Sequence, residues 1–436
     1  MHQPLINLAT LLIDLWCARP GARDHDRSSV WPWAVLTGDV WVEHGKDVAR
    51  AAKHLLTSFG RVPRNPQEKI SSGYKASELL YYIYGLGPAI FYQVIPEPYY
   101  SHFCRLVRAI RIIFQRVISR DQMLTAHGLL IGWYYDFERL YCNRDPNRLH
   151  FVRQCVHSLM HLARETHRLG PLSLSSQWTM ERVIGYLGSL LRQPSNAFRN
   201  LAAQTARVAH TNGLVAMWPD FEKPKGNPRG SEDLGDGYLL LGPKDTTAYG
   251  TSPAERVVLQ DFFSGCPGAE DVDSRSLHRW GRLKIPTEQV ARSWWKEVER
   301  CPDMARTDRN VKVRELIPFR HNVILNMLQI LYQNAIHFAE VKFFFIKMLG
   351  DELHAFTLAS LYAPPNEYVL QYTNNSLVVC RYHGEGALVV IDVRLILSVV
   401  AMIPFPFLLD GYNNQYFMVE KIGLDVIEAD VLEDDE

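Results

Sequence analysis

The sequence lacks the cysteine patterns that stabilise small secreted domains or build zinc ribbons. Its 436 residues include seven cysteines, at positions 17, 104, 142, 155, 266, 301 and 380, and no two of them form a Cys-x-x-Cys pair. Disulfide frameworks and zinc ribbons both depend on regularly spaced cysteines. We therefore expect free thiols and a reducing compartment, either the cytosol or the nucleus.

The chain also lacks an excess of charge of either sign. Lysine plus arginine and aspartate plus glutamate each number 47, so the formal net charge is zero. This balance excludes a histone-like basic protein, although a local basic face is enough to bind DNA. With 47% hydrophobic and 22% charged residues the composition is that of a globular protein. The length allows about two or three domains.

Long uninterrupted apolar runs are absent too. No run reaches the roughly 18 residues that indicate a membrane-spanning helix. Residues 5–16 resemble the core of a signal peptide, but no lysine or arginine precedes them and Asp14 interrupts them. The uncharged run 395–409 contains Pro404 and Pro406, which favours a buried strand followed by a turn. We expect neither a signal peptide nor a membrane partner.

Common catalytic motifs are missing as well. The glycine pairs Gly85/Gly87 and Gly185/Gly188 are not followed by the Gly-Lys-Ser/Thr ending of a phosphate-binding loop, so helix packing or turns explain them better. No Gly-x-Ser-x-Gly element occurs. These absences lead us to expect no small-molecule substrate.

Apolar residues recur at helical spacing through the first half of the chain. One predicted helical face carries Leu5, Leu8, Leu12 and Leu15. Further helices are predicted at 101–119, 121–141, 149–168 and 179–192, and Ser119 is the expected cap of the helix at 121–141. The inward residues of that helix are predicted to be Leu124, Leu130, Tyr134 and Phe137. Residues 1–219 are thus predicted to form one helical domain.

The second half has a different pattern. Turn-forming residues dominate from 220 to 275, which predicts a flexible linker with one short helix near 253–263. After a mixed connecting segment at 276–336, β-branched and aromatic runs follow at 337–347, 356–362, 376–382, 387–393 and 416–421. Their spacing predicts a small β-barrel-like domain at 337–425. Residues 426–436 predict a solvated acidic tail. The predicted fold class is α+β.

Two long segments carry a family resemblance. They are RLHFVRQCVHSLMHLARETHRLGP at 148–171 and SQWTMERVIGYLGSLLRQPSNAFRNLA at 176–202. Both closely resemble the late part of transposases from fungal elements of the Plavaka type, which are related to the plant CACTA (En/Spm) transposases. The likeness extends to SGYKASELLYYIYGLGPAIFY at 72–92 and DLGDGYLLL at 233–241, and more loosely to HFAEVKFFF, LASLYAPP and VEKIGLDV. It covers most of the chain.

The resemblance implies a specific chemistry. Such transposases have a ribonuclease-H-like fold in which three acidic residues hold two Mg²⁺ ions, which activate a nucleophile and stabilise the leaving oxygen. The third acid is typically a glutamate at the start of a late helix, and the matching position here is Glu181. A surface glutamate favoured by the helix dipole is the alternative reading of that residue.

The start of the chain departs from the family pattern. The family has an Asp-x-x-His motif before its helical insertion, and Met1-His2 matches only the end of that motif. The resemblance therefore leaves His2 and Glu181 as catalytic remnants, without the first two acids. We expect Mg²⁺ to have served the complete ancestral enzyme and this chain alone to bind no cofactor and to be inactive.

Three arginines near Glu181 are the expected DNA contacts. Arg182, Arg192 and Arg199 can bind phosphate oxygens in a bidentate manner, while scattered surface arginines are the alternative interpretation. Trp178, which precedes Glu181, is expected to pack apolar surface at the start of the helix rather than to stack on DNA. A DNA partner and the transposase resemblance together predict a nuclear protein.

A second metal hypothesis concerns His157, His161 and Glu165. Their four-residue spacing places them on one helical face, which can bind zinc, but they lack the His-Glu-x-x-His pattern. A polar stripe that forms hydrogen bonds within the domain is the preferred interpretation.

Three functions therefore stay open at this point. The chain is a transposase-derived fragment, a non-catalytic DNA- or protein-binding protein, or an unrelated enzyme that uses the histidine face.

Overall fold

The protein is described by a computed structural model that covers most of the chain. The described residues are 3–19, 26, 28–175, 178–191, 195–221, 226–266, 275–299, 307–314, 336–409 and 411–424. Helices and antiparallel strands both occur, so the predicted α+β class is confirmed. Within these residues no helix is both long and apolar enough to cross a bilayer.

Helices account for the first half of the chain. They are α1 (Ala9–Trp16), α2 (Gly38–Ala52), α3 (Pro66–Lys69), α4 (Ala76–Leu79), α5 (Gly87–Ile90), α6 (Tyr99–Phe114), α7 (Arg120–Phe137), α8 (Gln154–His157), α9 (Leu159–Leu169), α10 (Leu172–Ser175), α11 (Trp178–Ser189) and α12 (Ala197–Met217). π-Helical segments at Gln3–Leu8, Leu80–Leu86 and Glu138–Cys142 adjoin α1, α4 and α7. The four leucines predicted to share one face near the N-terminus are all buried.

Capping and burial explain the central pair, α6 and α7. The Ser119 hydroxyl accepts the Gln122 amide N–H at 3.1 Å, which is the predicted cap of α7. The side chains that α7 buries follow helical spacing and are Ala126, Leu130, Trp133 and Phe137. The prediction that Leu124 points inward is wrong, because that residue lies on the opposite side of the helix and is 60% exposed.

Fourteen strands and three further helices are described beyond residue 226. The helices are α13 (Pro253–Ser264), α14 (Trp294–Glu297) and α15 (Glu367–Tyr372). The strands are β1 (Glu232–Asp233), β2 (Leu239–Lys244), β3 (Tyr249–Gly250), β4 (Ser276–Leu277), β5 (Trp280–Lys284), β6 (Val290–Arg292), β7 (Asn310–Arg314), β8 (Ile336–Leu349), β9 (Glu352–Leu361), β10 (Val379–Arg381), β11 (Leu388–Asp392), β12 (Ile396–Val399), β13 (Ala401–Pro404) and β14 (Gln415–Val419).

The long strand β8 is the centre of a nine-stranded antiparallel sheet. One path through the sheet runs β1-β2-β5-β8-β7-β12, while β9 pairs with β8 and β11, and β6 pairs with β5. Side chains of a strand alternate between faces. Phe344 accordingly packs into the main core, whereas Phe343 and Phe345 pack on the other face against Leu259 and Phe263 of α13.

The helical half and the sheet share that main core. One cluster of buried side chains contains Leu106 of α6 and Trp133 of α7 together with Val341 of β8 and Val419 of β14. Strand β2, in the segment expected to be a flexible linker, pairs with β5 through Leu239↔Lys284 and Leu240↔Leu283. That part of the segment is therefore ordered, because its short apolar run pairs with a strand that lies about 40 residues later in the sequence. Which segments fold independently stays a prediction.

Several expectations concern the geometry of the C-terminal strands. The strands predicted from β-branched and aromatic runs are present. The run at 395–409, expected to hold one buried strand followed by a turn, contains two short strands, β12 and β13. Among the described strands no sheet closes on itself, so the barrel-like arrangement is not observed there. The acidic tail at 426–436 and residues 300–306 and 315–335 of the connecting segment lie outside the described residues.

Candidate functional site

Glu181 lies in the first turn of α11 and is exposed, as is its neighbour Arg182. The same helix exposes large apolar side chains, with Met180 and Ile184 each more than half exposed. A carboxylate at this position is favoured by the positive end of the helix dipole. The structure thus places Glu181 on an accessible surface.

Helix α12 contacts α11 and continues that surface. Its 21 residues include none that is buried, and Phe198 is 90% exposed. Arg199, Arg207 and His210 are exposed and fall within about one quarter of the helix circumference at 100° per residue. We call α11 and α12 together the α11–α12 surface. A long helix without buried residues gains little from packing, so a partner would add stability.

The structure brings some of the predicted site residues together and leaves others apart. Glu181, Arg182 and Arg199 all lie on the α11–α12 surface, whereas His2 and Arg192 fall outside the described residues. Within the described ranges no three His, Cys, Asp or Glu side chains form a group that could hold a metal ion. The carboxylate of Asp136, on α7, accepts hydrogen bonds from Arg105 and Arg139.

The histidine face has a geometry of its own. His157 and His161 are exposed, and their Nε2 atoms lie 3.3 Å apart, a distance at which one proton can be shared. Glu165, the third member of the zinc hypothesis, forms an ion pair with Arg168 at 3.1 Å. The pair therefore resembles the predicted polar stripe more than a three-ligand zinc site.

A cleft that the sequence did not predict lies between the end of β2, β5, β6 and α14. Its volume is about 410 Å³, and its walls are formed by Pro243, Gly281, Arg282, Arg292, Lys296, Glu297 and Glu299. We call it the Glu297 cleft. The lining residues come from segments about 50 residues apart, so no local motif identifies it. The one sequence signal for this cleft is a local excess of cationic residues. Residues 275–296 contain six arginines and lysines and a single acidic residue.

Glu297 is the unusual residue of this cleft. Its side chain is 8% exposed, and one oxygen accepts the Asp308 backbone N–H at 3.0 Å. The other oxygen, Oε2, has no hydrogen bond within the described part of the chain and lies 3.6 Å from Arg309 Nη1. Burial raises the pKa of the Glu297 carboxyl to about 7, although the Arg309 charge opposes this shift. A buried carboxyl that titrates near neutrality is a common feature of functional sites.

Comparison with known proteins gives no relative on which a function can be based. No family model matches the chain, and neither a curated protein nor a solved structure matches it. The function is therefore argued from the residues themselves.

Proposed function

We propose that this chain is a transposase-derived protein that binds DNA through the α11–α12 surface and does not cleave DNA by itself. Its origin in a ribonuclease-H-like transposase is supported by the sequence segments at 148–171 and 176–202. The observation that carries the proposal is the exposed and basic character of this surface, on which Glu181 is the one acidic residue. Residues 182–219 contain four arginines and no acidic residue, in a chain whose net charge is zero.

Charge and shape both favour a nucleic acid as the partner. Helix α12 has 21 residues and is therefore about 31 Å long, comparable to one helical turn of duplex DNA. Exposed arginines release counterions from the phosphate backbone when they bind it, which makes the affinity sensitive to salt. Without an array of side chains that read base edges, we expect weak sequence preference.

The small number of carboxylates that match the family's acids supports a non-catalytic role. Two-metal catalysis requires several carboxylates that converge on ions about 3.5–4 Å apart. Glu181 is the one residue that corresponds to the family's acids in the described part of the chain, and Asp136 is held by two arginines. Mg²⁺ therefore belongs, in this proposal, to the complete ancestral enzyme, and the protein acts in the nucleus as a DNA-binding protein.

A protein partner is the second candidate, and the exposed apolar side chains favour it. Met180, Ile184, Tyr186 and Phe198 on the α11–α12 surface are each more than half exposed. Clusters of this kind often mark protein interfaces. The two candidates differ in their dependence on salt, because apolar contacts are not weakened by screening.

The DNA proposal predicts a salt-sensitive complex that depends on three arginines. We expect the substitutions Arg182→Ala, Arg199→Ala and Arg207→Ala together to weaken binding to a 30-base-pair duplex at least tenfold. The slope of log affinity against log salt should fall by about two to three units. Fluorescence anisotropy at several salt concentrations measures both quantities on the full chain.

The matched control removes three other exposed arginines and so causes the same change in net charge. Arg50, Arg139 and Arg168 lie on α2, just after α7 and on α9, and each pairs with an acid nearby in sequence. Their combined replacement by alanine should leave DNA affinity within about threefold. Equal losses in the two triple variants would show that only net charge matters and would refute the α11–α12 site.

We also expect no strand cleavage by the purified chain. A supercoiled plasmid incubated with Mg²⁺ or Mn²⁺ should stay supercoiled with the wild type and with Glu181→Gln alike, because one carboxylate cannot position two metal ions. Gel electrophoresis measures the nicked fraction. Robust nicking by the wild type that Glu181→Gln abolishes would show a complete catalytic site and overturn the non-catalytic proposal.

A further inference from the structure

The Glu297 cleft is lined by more cations than carboxylates. Arg282, Arg292 and Lys296 face two acids, Glu297 and Glu299. The Arg282 Nε donates to the Gly242 carbonyl at 2.6 Å, which fixes the position of the guanidinium. Among the described residues this is the one hydrogen bond of that side chain, so both terminal Nη groups are available to a ligand. An arginine held in this way is prepared to bind an anion with two parallel hydrogen bonds.

The backbone of the cleft is closely packed. A Cβ atom added at Gly281 would lie 3.0 Å from Lys296 Cγ and 3.1 Å from Pro243 Cδ. A larger residue here would have to push these neighbours away by a few tenths of an ångström, so β5 lies close against α14 and the end of β2. The Ser293 amide N–H also donates to the Gly281 carbonyl at 3.0 Å, which ties the start of α14 to β5. The cationic side chains are thus attached to a firmly packed scaffold.

Glu297 adds a buried carboxyl group to the cationic side chains of the cleft. Its Oε2 lacks a hydrogen bond within the described chain although nine tenths of the side chain is buried. A buried polar atom without a hydrogen bond destabilises the protein, so a ligand that supplies the hydrogen bond is favoured. A protonated carboxyl donates one hydrogen bond, which an anionic oxygen accepts.

We propose that the Glu297 cleft binds a phosphate ester, with Arg282 as the counter-charge and the protonated Glu297 carboxyl as hydrogen-bond donor to a phosphate oxygen. Lys296 Nζ pairs with Glu299 at 2.9 Å, so Arg282 is the cation that the ligand would engage. A volume of about 410 Å³ lies in the range of small-molecule sites and is sufficient for a mononucleotide. The phosphate belongs either to a free nucleotide or to a nucleic-acid strand. This site is separate from the α11–α12 surface and does not depend on the function proposed for it.

Proton binding at Glu297 makes the affinity depend on pH in a defined direction. The charged groups around its carboxyl are Arg292 of β6, Asp308 and Arg309 before β7, and Glu340 of β8, which pairs with Arg309 at 2.6 Å. An anion favours the protonated carboxyl, whose pKa is about 7 in the free protein. The affinity should therefore be highest below pH 7 and fall as the pH rises to 8.

The test measures binding of ADP and of an octathymidylate strand to the full chain at 150 mM salt. Isothermal titration calorimetry at pH 6 and pH 8 gives the affinities. We expect Arg282→Ala to weaken binding of at least one probe tenfold or more at pH 6. Glu297→Gln, which keeps a neutral hydrogen-bond donor at every pH, should bind as tightly as the wild type at pH 6 and more tightly than it at pH 8.

Matched variants separate the outcomes. The exposed Arg168→Ala should leave both affinities unchanged, and Arg282→Lys, which keeps the charge but loses the forked donor, should give an intermediate loss. Binding of ADP alone that depends on Arg282 indicates a free nucleotide. Binding of the strand alone indicates a nucleic acid in the cleft only if Arg282→Ala weakens it, because the α11–α12 surface is also proposed to bind DNA. Binding of neither probe, or equal losses in Arg282→Ala and Arg168→Ala, would overturn the phosphate site. An equal pH dependence in Glu297→Gln and the wild type, which the titration of the probe alone would produce, would overturn the role of Glu297.

Discussion

Replacing Arg111 with methionine should lower the free energy of unfolding by about 3–5 kcal/mol, the range measured when one partner of a buried charged network is removed. Arg111 lies on α6 and is 8% exposed. Its guanidinium donates to the carbonyls of Tyr84 at 2.7 Å, Gly85 at 3.0 Å and Ser376 at 2.7 Å. The first two belong to the helical half and the third follows α15, so one side chain joins regions 265 residues apart in sequence.

The guanidinium of Arg111 stays positively charged although it is buried. Burial lowers the pKa of the guanidinium to about 10, and the Glu420 carboxylate opposes that shift. The side chain is therefore protonated at neutral pH and can supply all three hydrogen bonds. Methionine fills a similar volume but leaves three buried carbonyl groups without this donor, which is why the expected loss exceeds that of an ordinary surface substitution.

Urea denaturation of the full chain measures this effect. Arg116→Met, at an exposed position just after the same helix, is the matched control and should change stability by less than about 0.5 kcal/mol. If Arg111→Met stays within about 1 kcal/mol of the wild type, the three hydrogen bonds do not hold the two regions together.

Several helices of the first half, such as α6 and α7, could be predicted because their signals are local, whereas α2 and α12 were not predicted as individual helices. The cap at Ser119 and the apolar spacing of α6 depend on residues a few positions apart, and the predicted range 101–119 corresponds to Tyr99–Phe114. The wrong prediction that Leu124 points inward also comes from relying on local signals alone. Choosing the buried face of α7 required knowledge of α6, since apolar residues occur on more than one side of that helix.

The partners of the strands could not be predicted from the sequence. Strand β2 pairs with β5, and β5 meets β8 at Trp280↔Phe344, a contact between residues far apart in the chain. Short strands between turn residues resemble a linker until these partners are known. The Glu297 cleft was missed for the same reason, whereas the α11–α12 surface was found because Glu181, Arg182 and Arg199 are close in sequence.

A second pair of substitutions tests the ionic contact between β7 and the end of β14. Lys312 Nζ and Glu420 Oε2 lie 3.1 Å apart, and their side chains are 3% and 7% exposed. Lys312→Met should lower the free energy of unfolding by about 3 kcal/mol, because it leaves a buried carboxylate without its closest cation. Glu420→Met should cost more, about 4–5 kcal/mol, because both Lys312 and Arg111 then lose their nearby negative charge.

The double variant Lys312→Met/Glu420→Met should be more stable than Glu420→Met alone by about 2 kcal/mol, because it leaves no lysine charge without its carboxylate. It should stay less stable than the wild type, because Arg111 still lacks its nearby negative charge. The surface pair Lys284–Glu288, 2.8 Å apart with the glutamate 77% exposed, is the matched control. Its Lys284→Met variant should lose less than about 0.5 kcal/mol. Because Arg111 also interacts with Glu420, the losses from Arg111→Met and Glu420→Met should not be additive. Additive losses across these variants, with the double variant losing the sum of the two single losses, would show that the three charges act separately.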